Sequence, residues 1–279
     1  MKKVGFIDYY LDEWHANNYP RWIRQFSNGE MEVAYAYGLI DSPLAGRRTN
    51  AQWSKDLEIP LVDSVEELIE KSDYLVVLSP DNCEMHEQLC QLPLRSGKRT
   101  YVDKTFAPDG VIARRIFAIA EKSGTPCYST SALRFAEEYQ PLRGRQYDAI
   151  AAWGPGNFET YSIHQLEPVM MLMQARAESV LYLPAKDAYT LLIRFEGGRT
   201  ASLTGLMNGS PFALNAAGPD GNQMAVQQVD SFSRFIPALI RFFETGEAPV
   251  SHEETIAIMD VRGAGLKAIE RAGEWIDVK

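Results

Sequence analysis

The sequence contains little cysteine. Its 279 residues include only three, Cys83, Cys90 and Cys127, and none belongs to a Cys-x-x-Cys pair or to the ligand pattern of a zinc finger. We therefore predict neither a zinc site nor any other metal centre. An odd number of unpaired thiols is typical of a reducing compartment, so we expect a cytoplasmic protein.

The sequence also lacks an excess of basic residues. It has 28 Lys and Arg against 37 Asp and Glu, a formal charge of −9, which argues against nucleic acid because phosphate binding needs clustered cations. No apolar run reaches the roughly 18 residues of a membrane span, and Met1–Gly5 leads into a strand without the apolar core of a secretion signal. We expect a partner that is a small molecule, neither nucleic acid nor membrane.

Strand and helix patterns alternate over the first 128 residues. A helix is expected from Ser64, which begins a capping box, and another over Asp109–Ser123. Short apolar strands are predicted at Lys3–Ile7, Glu32–Tyr37, Tyr74–Leu78, Thr100–Val102 and Pro126–Tyr128. Such alternation favours a doubly wound parallel sheet, an α/β domain that we assign to residues 1–129.

The pattern changes after about residue 130. Segments 189–195 and 199–206 alternate apolar and polar residues around Gly197-Gly198, which predicts a hairpin. Further strands are expected at 212–217 and 224–229, and helices at 164–174, 232–244 and 253–271. Residues 130–279 are therefore predicted to form an α+β domain with an open, mostly antiparallel sheet. One arrangement we consider has the last helix, about 253–271, packed back on the first domain.

Chemistry-bearing residues follow the fourth predicted strand and recur on a later helix. Asp103 and Lys104 come directly after Thr100–Val102, and in open α/β sheets ligands bind at the carboxyl ends of strands. His164, with Glu167 three residues on, could supply a second proton-handling group. A single strand-end lysine or helix-borne histidine is more often structural, so the hypothesis depends on the two acting together.

Five segments in sequence order resemble those of one protein family. They are Leu78-Ser79-Pro80 with His86 following, Gly97–Lys104, Arg134-Phe135, Ile163–Glu167 and Phe243–Ser251. On these segments the chain resembles, over nearly its whole length, the glucose–fructose oxidoreductase and inositol dehydrogenase (Gfo/Idh/MocA) family. The resemblance implies a Rossmann-type domain followed by an open-faced antiparallel sheet domain.

The resemblance also implies an activity, NAD(P)-dependent oxidation or reduction of a sugar, polyol or related compound. Lys104 resembles the family lysine that orients the substrate and relays a proton, and His164 resembles the histidine of the general-base step. Glu167 and Arg134 are expected to bind substrate. Glu167 stands where the family usually has Asp, and it could equally cap or solvate its helix. The family's open sheets often pair, so we expect a homodimer or homotetramer through the second-domain sheet.

The cofactor loop departs from the family pattern. The resemblance places NAD or NADP against Tyr9, Tyr10 and Leu11, and against Ser79, Pro80 and Asp103. The three glycine positions of the expected Gly-x-Gly-x-x-Gly are filled by Asp8, Tyr10 and Glu13, which brings carboxylates towards a pyrophosphate. A second hypothesis follows, in which the fold is retained, dinucleotide binding is lost, and the chain is a ligand-binding or regulatory protein.

Two further expectations concern the first helix. Proline is tolerated in the first turn of a helix and disrupts its interior. Because of Pro20, the helix is expected to begin near Asn18, displaced from the loop. His15 matches a recurrent family histidine, and we interpret it as a surface or helix-packing residue rather than a catalytic one.

Overall fold

The computed structural model describes all residues, 1–279. The chain divides into two compact units. The N-terminal unit comprises Met1–Ala107, Arg114–Thr130 and Ile236–His252, and the C-terminal unit comprises Pro108–Ala113, Ser131–Phe235 and Glu253–Lys279.

The N-terminal unit is built on a parallel sheet of five strands. They are β1 (Lys2–Asp8), β2 (Met31–Gly38), β3 (Tyr74–Val77), β4 (Thr100–Val102) and β5 (Cys127–Tyr128). Their order is β2-β1-β3-β4-β5, and every neighbouring pair is parallel. The chain therefore moves outward in one direction from β1 to β2 and in the other from β3 to β5. The predicted Rossmann-type sheet is confirmed, and its topological switch point lies between β1 and β3.

Apolar side chains on both faces explain the parallel sheet. Val4, Phe6 and Ile7 of β1 and residues 75–77 of β3 are completely buried, as expected for strands covered on both sides. The helices that the chain forms between these strands are α1 (Trp14–Phe26), α2 (Asn50–Leu57), α3 (Val65–Lys71), α4 (His86–Leu89) and α5 (Gly110–Ser123).

The first helix corrects the sequence prediction. α1 begins at Trp14 rather than near Asn18, and Pro20 lies inside it. The proline removes only the hydrogen bond that its own N–H would give to the Ala16 carbonyl. The earlier start has a local cause, because Glu13 is the N-cap and its carboxylate accepts from the amides of His15 and Ala16.

The C-terminal unit contains a sheet of seven strands. They are β6 (Ala149–Pro155), β7 (Ala177–Ala185), β8 (Ala188–Phe195), β9 (Thr200–Leu206), β10 (Ala213–Gly218), β11 (Gly221–Val226) and β12 (Trp275–Asp277). The order is β11-β10-β6-β9-β8-β7-β12, and only β6 and β9 pair in parallel. The predicted mostly antiparallel sheet and its β8–β9 hairpin are confirmed.

Three further helices complete the fold, α6 (Phe158–Met173), α7 (Phe232–Thr245) and α8 (His252–Glu270). α6 packs on β6 and β9, against the face that carries the buried residues Tyr189, Leu191 and Leu203. Its cap residue Asn157 accepts from the amide of Thr160. None of the helices combines the length and the hydropathy needed to cross a bilayer.

Candidate functional site

The carboxyl ends of three strands in the N-terminal unit carry most of the predicted cofactor residues. Tyr9–Leu11 follow β1, which ends at Asp8, Ser79 and Pro80 follow β3, and Asp103 follows β4. β1 and β3 are neighbours and so are β3 and β4, so these ends share one edge at the switch point. Ser79 adopts φ 90°, a conformation that is rare for a non-glycine residue and is often found at functional sites.

Lys104 carries a buried amine, and most of its hydrogen-bond donors are not used within the protein. The residue is 9% exposed, and its Nζ makes a single, long hydrogen bond of 3.5 Å to the carbonyl oxygen of Pro80. An ammonium group carries three donors. The peptide bond between Lys104 and Thr105 is cis. The amine is therefore able to donate to an oxygen of a bound molecule.

Asp103 is the centre of a buried polar cluster. Its Oδ2 is hydrogen-bonded to His15 Nδ1, and the Tyr101 hydroxyl lies 3.0 Å from its Oδ1. Burial alone would raise the pKa of Asp103, but attraction to His15 and Lys104 and the hydrogen bonds from them outweigh it, so this pKa is lowered. Asp103 is accordingly an ionised carboxylate at neutral pH.

His15 belongs to the same cluster, which the sequence interpretation missed. Its side chain is 8% exposed, and burial lowers its pKa, with partial compensation from Asp103. The family match of His15 was the signal that could have identified it. Sequence position alone did not show that Asp103, 88 residues away, is its partner.

The first βα turn is packed against its own unit. Tyr10 is 6% exposed and Leu11 is fully buried, and Tyr9 is half-buried. The Leu11 amide donates to Asn50 Oδ1 at 3.0 Å. The amide of Ile40 donates to the Tyr9 carbonyl at 2.9 Å. This turn thus uses its backbone groups internally, where a glycine loop would present them to a phosphate.

The N-terminus of α1 is closed by a carboxylate. Glu13 Oε2 accepts from the His15 amide at 2.6 Å, and Oε1 accepts from the Ala16 amide. These are orphan donors that would face a pyrophosphate in a dinucleotide-binding turn. Because the buried carboxyl group of Glu13 already accepts from them, these two amides are not available to a pyrophosphate.

Two acidic groups at this turn have raised pKa values. Burial, with repulsion from Asp103, raises the pKa of Glu13 to about 8. Burial and the charges of Glu13 and Asp103 raise the pKa of Asp8 well above its usual range. Asp8 Oδ2 has no hydrogen-bond partner. Asp8 and Glu13 therefore resist ionisation, whereas Asp103, at the end of β4, has a lowered pKa.

A second polar cluster lies in the C-terminal unit and contains the remaining predicted residues. Ser131 Oγ is 2.7 Å from His164 Nδ1, and the Ser131 amide donates to Glu167 Oε1 at 3.1 Å. Arg134 Nε donates to Glu167 Oε2 at 2.6 Å, and its Nη2 donates to Glu254 Oε1 at 2.6 Å. His164, Glu167 and Arg134 are therefore brought together around Ser131, which was not a predicted site residue.

Arg134 and Glu167 form a buried ion pair. Both side chains are 3% exposed. Burial would lower the pKa of Arg134, but attraction to Glu167 and Glu254 outweighs it and the pKa is raised. The structure thus gives both residues a protein partner, and their predicted role in substrate binding stays a prediction.

Comparison with known proteins identifies solved structures that share this fold. No model of a known protein family matches the sequence, and no curated protein does. Solved structures do match. Myo-inositol dehydrogenase from Lactobacillus casei, in complex with NAD(H) and myo-inositol, is 13% identical with a TM-score of 0.82, covering 100% of this chain and 97% of that chain.

Two other solved structures agree. GenD2 from gentamicin A biosynthesis, in complex with NAD, is 10% identical with a TM-score of 0.80, covering 100% of this chain and 97% of that one. Myo-inositol 2-dehydrogenase from Lactobacillus plantarum is 11% identical with a TM-score of 0.77, covering 100% and 99%. At these identities the likeness concerns the fold, and the fold implied by the sequence resemblance is confirmed.

Proposed function

We propose that this chain is an oxidoreductase that interconverts the hydroxyl and carbonyl forms of a small compound, such as a sugar, a polyol or a derivative, with NAD or NADP as the hydride partner. Dehydrogenases that share its fold support the reaction class, although fold likeness alone does not fix an activity. The observation that carries the proposal is Lys104, a buried amine at the switch-point edge with donors not used by the protein.

Lys104 would bind the oxygen that changes between hydroxyl and carbonyl. An ammonium group donating to a carbonyl oxygen polarises it for reduction, and in the reverse direction it stabilises the oxygen that loses a proton. Proton handling by a positioned side chain contributes about 10²–10⁴-fold to a rate. Attraction between Lys104 and Asp103, which precedes it in the sequence, contributes to the lowered pKa of Asp103.

His164 is the proposed general base of the C-terminal unit. Ser131 lies at hydrogen-bonding distance from its Nδ1, and the rings of Tyr161 and Phe212 pack edge-on against it. These contacts orient the imidazole. That His164 and Lys104 act on one substrate molecule stays a prediction of the sequence.

The test is hydride transfer together with dinucleotide binding. The folded chain is titrated calorimetrically with NAD and NADP at millimolar concentration, and reduction of the nicotinamide is followed with a panel of polyols and sugars. We expect Lys104→Met to lower kcat about 10²-fold or more and Lys55→Met, an exposed lysine of α2, to leave it unchanged. Absence of dinucleotide binding by the intact wild type would refute the proposal.

One observation favours a second function, a ligand-binding or regulatory protein that takes up no dinucleotide. Glu13 satisfies the α1 amides that a pyrophosphate would need, and the turn before it is packed with Tyr10 and Leu11. This function predicts that sugars or polyols raise the melting temperature and that NAD and NADP do not. A dinucleotide bound to the purified wild type would contradict this second function.

A further inference from the structure

A small cavity in the C-terminal unit is lined by two arginines. Its volume is about 210 Å³, and all the residues that line it belong to this unit. We propose that the cavity is a binding site for a small organic carboxylate, with the guanidinium groups of Arg134 and Arg143 as its anchors. This inference goes beyond the proposed function and does not depend on it.

Arg134 is a buried cation with an unused donor group. Its side chain is 3% exposed. Nε donates to Glu167 Oε2 and Nη2 donates to Glu254 Oε1, both at 2.6 Å, whereas the other terminal nitrogen, Nη1, donates to no group of the protein. A guanidinium group carries five N–H donors in one plane, and a buried charged donor without an acceptor is costly. A ligand oxygen in the cavity that Arg134 lines would supply that acceptor.

Arg143 is the second anchor. It takes part in no ion pair, and its guanidinium makes one long hydrogen bond of 3.4 Å, from Nη1 to Gln140 Oε1. The amide nitrogen of the same Gln140 side chain donates to the carbonyl oxygens of Arg134 at 2.9 Å and of Ala136 at 3.0 Å. Gln140 therefore joins the guanidinium group of Arg143 to the turn that carries Arg134.

The ion pairs leave Arg143 as the position for an anion. Glu254 also lines the cavity, but its carboxylate is paired with Arg134. A guanidinium group recognises a carboxylate through two parallel hydrogen bonds, so a carboxylate bound at Arg143 gives each arginine of the cavity an anionic partner. Repulsion from Glu254 opposes this binding, and we expect a dissociation constant in roughly the millimolar range.

The rest of the wall limits the size and the character of the ligand. Its apolar members are Met170, Met171, Ala175 and Ala257. The volume equals that of about seven water molecules, at the ~30 Å³ that each occupies in the liquid. It is below the roughly 300–1,000 Å³ of pockets for drug-sized ligands. A carboxylate with a short hydrocarbon body fits these limits, whereas a dinucleotide is too large.

The cavity is separate from the candidate general base. Met170 and Met171 follow His164 by six and seven positions on α6, which is about 9–10 Å along the helix axis at 1.5 Å per residue. His164 does not line the cavity. Binding at this site is therefore measurable without substrate, cofactor or enzymatic activity.

The first test is calorimetric titration of the full chain with three probes of one shape at millimolar concentration. They are 4-methylpentanoate, its uncharged amide, and leucine, which adds an ammonium group to the carboxylate. We expect 4-methylpentanoate to bind at least about tenfold more tightly than the amide. Tighter binding of leucine would assign the site to amino acids, and equal or weaker binding would assign it to simple carboxylates. Equal binding of 4-methylpentanoate and its amide, or binding of neither carboxylate, would overturn the inference.

The second test compares Arg143→Gln with a matched control. Arg143 is exposed, so its substitution leaves the packing of the unit intact. We expect Arg143→Gln to weaken binding of the carboxylate about tenfold or more. Arg145→Gln changes another exposed arginine, two positions on, that does not line the cavity, and it should leave the affinity unchanged. Ala257→Leu fills the cavity from α8 and should abolish binding. Wild-type affinity in Arg143→Gln would overturn the inference, even if Ala257→Leu fails to fold.

Discussion

Among single residues, Glu13 has the most unusual environment. It is a buried carboxyl group, 5% exposed, whose pKa is raised to about 8 by burial and by repulsion from Asp103. The unfolded chain would titrate the same group at its ordinary value near 4.5. The folded state therefore binds an additional proton between these two values, and stability falls as pH rises through this window.

We expect Glu13→Gln to weaken this pH dependence. Its amide stays neutral, so the variant lacks the cost of ionising a buried carboxyl group, although the cap geometry changes. Between about pH 5 and pH 8, the unfolding free energy of the wild type should fall by at least about 1 kcal/mol more than that of the variant. Urea titrations across this range measure both. Parallel pH dependences would contradict the raised pKa.

The termini of the helices offer a test at the scale of elements. α6 ends at Gln174, which adopts φ 46° and ψ 47°, a left-handed conformation that costs a side-chain-bearing residue about 1 kcal/mol. We expect Gln174→Gly to stabilise the protein by about 0.5–1 kcal/mol in urea unfolding. Gln174→Ala retains the Cβ and should bring no such gain. Equal stability of the two variants would contradict the assignment.

The parallel sheet was predictable because each of its strands is an apolar run bounded by turn residues. Tyr74–Val77 and Thr100–Val102 are recognisable alone. β6, β7 and β12 were not predicted, and for β6 and β12 the physical reason is clear. β6 (Ala149–Pro155) consists largely of small residues, whose strand character comes from pairing with β9 and β10. β12 has only three residues and exists as the partner of β7.

Candidate site residues could be predicted from the sequence where they lie in a recognisable motif. Lys104, Asp103 and His164 follow recognisable segments. The start of α1 was not predictable. The low helix propensity of Pro20 favoured a start near Asn18, whereas the hydrogen bonds that Glu13 accepts stabilise a start at Trp14. The contact between His15 and Asp103 joins residues 88 positions apart in the sequence, and no local pattern encodes it.

For the whole molecule, the outer face of the C-terminal sheet is the feature without a covering element in its unit. One row of adjacent residues crosses all seven strands without a charge: Trp275, Leu181, Leu192, Ser202, Ala151, Asn215 and Met224. Met224 is 66% exposed. Residues from this face line a concavity of about 520 Å³. Most of the residues that line this concavity are apolar, and Arg194 is the only charged one. Exposed apolar surface of this kind is typical of an interface.

We expect this face to join two copies of the chain in a homodimer, or pairs of dimers in a homotetramer. Leu192→Glu places a charge in the middle of the row and should shift the mass measured by light scattering to that of a monomer at micromolar concentration. Val111→Glu alters an exposed residue of α5 and should leave the mass unchanged. A wild-type monomer would contradict the prediction.

The Glu13 cap has a consequence for how this protein is maintained. Where a helix end depends on a dissolved anion, the folded population follows the supply of that anion by mass action. Here the capping group of α1 is a side chain of the same polypeptide, so the hydrogen bonds of the first turn do not depend on the concentration of any dissolved anion.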